Sequence, residues 1–162
     1  MRSRVAGYFL TAALLVCWYG CGIPVVGLAP QSPRVESKAF SQWLRFTPVD
    51  SLTPTLRWEA LDARTLDAAG EVTDVTYDLR VWTTASGYSG TPVYARDALQ
   101  QPVHQVEEPL QPGEKYLWTV RAHFTLAGQR WLTEWGMAGH LLRDQVVPNA
   151  ACFRFETPPR SD

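Results

Sequence analysis

The sequence predicts an all-β protein, an antiparallel β-sandwich of about seven strands, and three observations carry that expectation. From Phe40 onward, large apolar residues recur at every second position. Prolines and glycines, 12 and 11 of them in 162 residues, fall between those runs and punctuate them. The stretch "LQPGEKYLWTVRAHF" at 110–124 sets a tight-turn signal directly ahead of an alternating run. With 46% hydrophobic and 12% aromatic residues, the chain has material for one packed core and is too apolar for disorder.

Taken in order, "FSQWLRF" (40–46) is a weak strand candidate. "TLRWEA" (55–60) sets Leu56 and Trp58 on one face against Arg57 and Glu59. "VTYDLRVWT" (75–83) alternates Val75, Tyr77, Leu79 and Val81 with Thr76, Asp78, Arg80 and Trp82. "PVYAR" (92–96) and "VHQVEE" (103–108) are shorter candidates. The 110–124 stretch alternates Tyr116, Trp118, Val120, Ala122 and Phe124 with Leu117, Thr119, Arg121 and His123. "CFRFE" (152–156) sets Phe153 and Phe155 against Arg154. Successive side chains of a strand leave opposite faces, so this alternation marks half-buried strands. Two connections are long: 61–72, with room for a helical turn, and 127–151.

The turn at 110–116 has a physical reading. In a sandwich the chain crosses between sheets, and a tyrosine at the start of the receiving strand fixes the crossing. Its ring enters the core and its hydroxyl bonds upstream backbone. Leu110 buries under the turn, Pro112 presets φ, Gly113 supplies a positive φ, and Tyr116 opens the strand.

Together, "LQPGEKYLWTVRAHF", "AGQRWLTEWG" (127–136) and "FRFETPP" (153–159) resemble the second half of a fibronectin type III domain. In that family a Leu-x-Pro-Gly-x-x-Tyr corner leads into strand F, a Gly-containing turn carries a Trp, and a short strand G closes the module. Trp58 matches the strand B tryptophan and "YDLRV" (77–81) matches strand C. The resemblance covers about 50–158, is weakest over 84–106, and implies an immunoglobulin-like sandwich. "MAGHLLRDQVVPNAA" (137–151) is extra to the pattern, between the Trp135 turn and the last strand.

The first twenty residues are of another composition. Arg2 and Arg4 precede "VAGYFLTAALLVCWYG", and no charge returns until Arg34. Basic residues, a short apolar run and small residues describe a secretory signal. Gly20-Cys21 at its end resembles the bacterial lipoprotein signal, although Trp18 stands where that signal usually has Leu. The resemblance implies cleavage before Cys21, acylation of Cys21 (palmitate among the acyl groups), and, with Gly22 rather than Asp next, the outer membrane. The alternative is an uncleaved anchor, since Val5 to Leu28 is long enough to span a bilayer as a helix. The expected organisation is a signal over 1–20, a lipidated Cys21 and Pro-containing tether over 21–39, the sandwich over 40–158, and a tail over 159–162. Losing Arg2 and Arg4 leaves 13 basic against 16 acidic residues, a net −3. Cys152 reads as a buried, inert thiol, with pairing between molecules as the alternative.

The formal charge of −1 carries no block of like charges, so nucleic acid is not an expected partner. His104, His123 and His140 have no partner at metal-ligand spacing, and no nucleophile motif is present. Neither a catalytic site nor a cofactor is expected. Glu107 and Glu108 point to opposite faces and read as a solvated strand end. "GYSGTP" (87–92) has no following helix that would make it a phosphate cradle. Trp58 and Trp118 fall on inward faces, whereas Trp43, Trp82, Trp131 and Trp135 are candidates for exposure.

If strands C, F and G are neighbours, Arg80, Arg121 and Arg154 share one face and need something between them. Indole rings can serve, and "WLTEW" (131–135) resembles the Trp-Ser-x-Trp-Ser element of cytokine-receptor modules, which interleaves tryptophans with arginines. An Arg–Trp stack is therefore expected, with Trp135 favoured over Trp131, leaving Trp82 for a ligand contact. The function these features imply is a membrane-tethered, non-catalytic interaction module at the bacterial envelope, with an envelope protein or glycan as partner. The alternatives are a structural subunit pairing by its sheet edges and an enzyme with a site in the 127–151 loop, drawing on His140 and Asp144.

Overall fold

Eleven strands form among the described residues. They are β1 (Val25–Val26), β2 (Arg34–Val35), β3 (Lys38–Ala39), β4 (Thr47–Pro48), β5 (Thr55–Arg57), β6 (Val72–Thr83), β7 (Tyr94–Leu99), β8 (Val103–Gln105), β9 (Lys115–Leu126), β10 (Gln129–Thr133) and β11 (Phe153–Glu156). The computed structural model describes residues 25–26, 32–39, 45–61, 71–86, 90–136 and 153–160, with no helix among them.

The two twelve-residue strands, β6 and β9, are the longest alternating runs, and they pair antiparallel from Val72↔Leu126 to Thr83↔Tyr116. On the outer side of β6 lies β7. On the outer side of β9 lie β10, against its Phe124 end, and β11, against its Tyr116 end. Parallel partners complete this seven-stranded sheet, β1 on β10 and β4 on β11. A four-stranded sheet in the order β3-β2-β5-β8 faces it.

The inward set of the alternation fills the space between the sheets. Leu56, Leu79, Val81, Trp118, Val120 and Phe155 are fully buried. Each such side chain contributes about 1.5–3 kcal/mol. Aromatic pairs tie strands together: Trp118 meets Phe153 at 5.1 Å, Tyr116 stacks on Phe155 at 5.3 Å, and Trp58 meets Tyr77 edge-on at 5.4 Å.

The structure departs from the sequence expectations in four places. The stretch read as a tether supplies β1, β2 and β3, and Val35 is buried in the core opposite Leu56. Two-residue strands carry too little alternation to be seen in a sequence. Within "FSQWLRF", residues 40–44 lie outside the described residues, and Arg45 and Phe46 are irregular; pairing starts at Thr47.

The 127–151 connection contains β10, which folds back on β9 through a tight turn at Ala127 and Gly128, both with positive φ. The outward set is not uniformly exposed either: Asp78, Trp82, Leu117 and Thr119 are buried. Covering by neighbouring segments, rather than strand period, decides that. Residues 1–24, among them Cys17 and Cys21, lie outside the described residues, as do Trp43, the 62–70 segment, and 137–152 with His140, Asp144 and Cys152.

The segment 133–136 explains how β9 keeps its far side satisfied between β10 and β11. Ala122 N donates to Thr133 Oγ1 at 2.9 Å, Gly136 N donates to Val120 O at 2.7 Å, and Thr119 Oγ1 donates to Gly136 O. β10 and β11 thus occupy the place of one strand along β9.

Candidate functional site

The outer face of the large sheet gathers the charged members of the outward set. Register puts Asp78 directly opposite Arg121, with Arg80 opposite Thr119 and Thr76 opposite His123. A shift in pairing between Thr73 and Thr76, with Asp74 at φ 53°, bends β6 just before this point. Thr119 is the small residue in the row. The bend at 133–136, pinned by Thr119 and Thr133, lays Trp135 over the space beside it.

The result is one connected row. Asp97 pairs with Arg80 at 2.6 Å, and the Arg80 guanidinium lies 5.7 Å from the Trp135 ring centre. Arg121 lies 4.4 Å from the same ring and donates through Nε and Nη2 to Asp78 Oδ2 at 3.0 and 2.9 Å. His123 Nε2 meets that oxygen at 2.7 Å. Arg80 also donates to the carbonyls of Leu79 and Arg96. Each guanidinium over an indole is attracted by roughly 0.5–2 kcal/mol, and the ring separates two cations that would otherwise repel.

Burial pushes the Asp78 carboxyl up, but the hydrogen bonds from His123 and Arg121 outweigh it and hold the group below its ordinary value. The side chains of Arg80, Arg121 and His123 remain 20%, 27% and 19% exposed, whereas that of Asp78 is 9% exposed. The buried carboxylate holds Arg121 and His123, both of which still reach solvent.

The other residues singled out from the sequence fall elsewhere. Both arginine stacks fall on Trp135; half-buried Trp131 lies opposite Phe124 in the ladder. Arg154 lies 5.6 Å from the Phe46 ring, which also receives the Lys115 ammonium at 5.3 Å.

Trp82 is 5% exposed, packs on Leu117, and donates from Nε1 to Gly90 O at 2.9 Å. The expectation of a ligand contact at Trp82 is therefore corrected. Outward parity alone reveals neither the bond to Gly90 O nor the packing on Leu117.

At the corner, Gln111 N donates to the Tyr116 hydroxyl at 2.9 Å, Leu110 is buried, and Gly113 has φ 69°. Pro112 is half-buried in the turn ahead of it. Burial raises the Tyr116 hydroxyl above its ordinary pKa. Thr157 locks the same turn, donating to Gln111 O at 2.7 Å and accepting from Glu114 N at 3.0 Å.

A second polar cluster escaped the sequence reading. Across the edge between the sheets, the Tyr94 hydroxyl meets His104 Nε2 at 2.6 Å and accepts from Glu107 N at 3.3 Å. Arg96 covers the Tyr94 ring at 4.5 Å and pairs with Glu107. That bond holds the Glu107 carboxyl below its usual value. Burial lowers His104 below the usual imidazole value. "PVYAR" and "VHQVEE" hold all of these residues, but their meeting depends on β7 and β8 lying in different sheets.

A cavity of about 230 Å³ opens beside this cluster, lined by Val93, Tyr94, Glu108, Leu110 and Tyr116 among others. Among the described residues, no three His, Cys, Asp or Glu side chains group as a metal site. No family model matches the chain. No curated protein matches it by sequence.

Proposed function

We propose that this chain is a lipid-anchored, non-catalytic interaction module of the bacterial envelope, a fibronectin type III-like sandwich that recognises an envelope protein or glycan. One observation carries the reading: the row Arg80–Trp135–Arg121–His123 on the outer sheet face. Tryptophan and arginine are the side chains that dominate recognition surfaces. Here they are held in place before any partner arrives, by Asp97 at one end and buried Asp78 at the other, so little side-chain freedom is left to lose on binding.

The strand layout supports the family resemblance. Strands β2, β5 and β8 of the small sheet stand where that family has A, B and E. Strands β7, β6 and β9, followed by the β10/β11 pair, stand where it has C′, C, F and G, with the tyrosine corner leading into β9. Fold alone does not assign a function.

The anchor rests on Arg2, Arg4, the apolar run and Gly20-Cys21. Pairing of Val25 and Val26 with β10 supports cleavage ahead of Cys21 over a helix spanning as far as Leu28, because paired residues are unavailable to a bilayer span. A single acyl chain binds membranes only marginally, so more than one is expected on Cys21. Gly22 directs the reading to the outer membrane.

Two measurements test the proposal. Metabolic labelling with a fatty-acid analogue is expected on the wild-type chain and not on Cys21→Ala; equal labelling sinks the anchor. Purified protein is expected to capture a ligand from solubilised envelope or a glycan array, with capture lost in Trp135→Ala. Capture unaffected by that substitution would move the binding face elsewhere.

A second reading, a structural subunit joined through sheet edges, is favoured by Val93. It is 50% exposed just ahead of edge strand β7, the one large hydrophobic so exposed among the described residues.

A further inference from the structure

The membrane attachment proposed above has a geometric partner in the fold. Only four peptide units separate Cys21 from Val25, a reach of at most about 14 Å. Val25 and Val26 are not part of a loose tether: they pair in parallel with Leu132 and Thr133 of β10. The chain therefore joins the sandwich at one edge of the large sheet, within a short leash of wherever Cys21 is held.

Register carries that edge across the sheet. Val25 is opposite Leu132, Leu132 opposite His123, and His123 opposite Thr76, while neighbouring Tyr77 is opposite Leu99. Four strand spacings thus separate β1 from β7 at the same level, roughly 19 Å. The β10 edge carries exposed Arg130 and half-buried Trp131, the residue types that settle at lipid headgroups.

We propose that the β1–β10 edge is the bilayer-facing side of the domain, so that the sandwich stands with this edge against the headgroups and edge strand β7 turned away. The proposal rests on the membrane attachment argued in the preceding subsection. It holds the Arg80–Trp135–Arg121 face sideways to the membrane, open to partners in the plane of the envelope.

The test uses the full chain, purified with its lipid and placed in phosphatidylethanolamine–phosphatidylglycerol vesicles that carry a headgroup nitroxide. A fluorophore is attached at Gln129→Cys or at Gln100→Cys, both exposed positions, in a Cys152→Ala background. Quenching is expected to be several-fold stronger at 129 than at 100. It should become equal in a Val25→Pro, Val26→Pro variant, because proline removes the donors that pairing needs. Equal quenching at both positions in the parent chain, with Cys21 acylated, overturns this proposal and leaves the anchor standing. A chain that carries no acyl label and does not sediment with vesicles overturns both.

Discussion

Asp78 shows how one buried residue organises its surroundings. Its Oδ2 atom accepts from Arg121 twice and from His123, while Oδ1 lies 3.4 Å from Ala98 N. Asp78→Asn keeps the shape and removes the charge, so it is expected to lower stability by about 2 kcal/mol, read by urea unfolding. An effect near zero would show the cluster to be solvated.

At Tyr94 one hydroxyl joins two segments, accepting from Glu107 N while meeting His104 Nε2. Tyr116 is the third case. Tyr116→Phe leaves Gln111 N without its acceptor and is expected to cost about 1–3 kcal/mol; Thr157→Val, which removes the acceptor of Glu114 N and a donor to Gln111 O, should cost a similar amount. If Tyr116→Phe changes stability by less than about 0.3 kcal/mol, the corner hydroxyl exchanges with water.

Among elements, β9 is the hub, flanked by β6 on one side and by β10 and β11 on the other. Trp135 reaches its place because the chain between those last two strands bends at Thr133 and Gly136. Trp135→Ala should then cost about 1–3 kcal/mol, since two stacks are lost and Arg80 and Arg121 are left without the ring between them. Trp135→Phe should recover part of it. No loss in either variant would mean that the arginines are held by Asp97 and Asp78 alone.

Alternation made the inward faces of β6, β9 and β11 legible in the sequence, along with the corner at Tyr116, because these depend on local order. It also brought Arg80 and Arg121 to one face. What it missed depends on coverage and on distance along the chain. Trp82 is outward by parity yet buried and bonded to Gly90 O, Arg154 lies by Phe46, and Tyr94 meets His104 across two sheets. The strands β1 to β3 were invisible because two residues have no period.

For the molecule as a whole, His104 and Asp78 act in the same direction with pH. His104 is lowered from 6.5, mainly by burial. The unfolded chain therefore binds that proton first, and stability present above pH 6.5 is lost as pH falls towards the folded value. Asp78, lowered from 3.8, follows the same rule in a lower window. Urea midpoints are therefore expected to fall in two stages on acidification. His104→Gln should flatten the upper stage and Asp78→Asn the lower. A midpoint that rose between pH 7 and pH 5 would contradict the direction assigned to His104.

The gap along β9 has a further consequence. Gly136 is bonded at Val120 and Phe153 stands opposite Trp118, so the two ends of the 137–152 segment are anchored two residues apart on one strand, about 7 Å. A segment whose ends are already fixed side by side is a natural port for foreign sequence. Doubling its length costs only about 0.6 kcal/mol of closure entropy. Removing 138–151 and bridging with Gly-Ser should leave the melting temperature nearly unchanged, and a reporter protein spliced there should fold with both sheets intact. The sandwich would then serve as a carrier whose payload can be exchanged without rewriting its core.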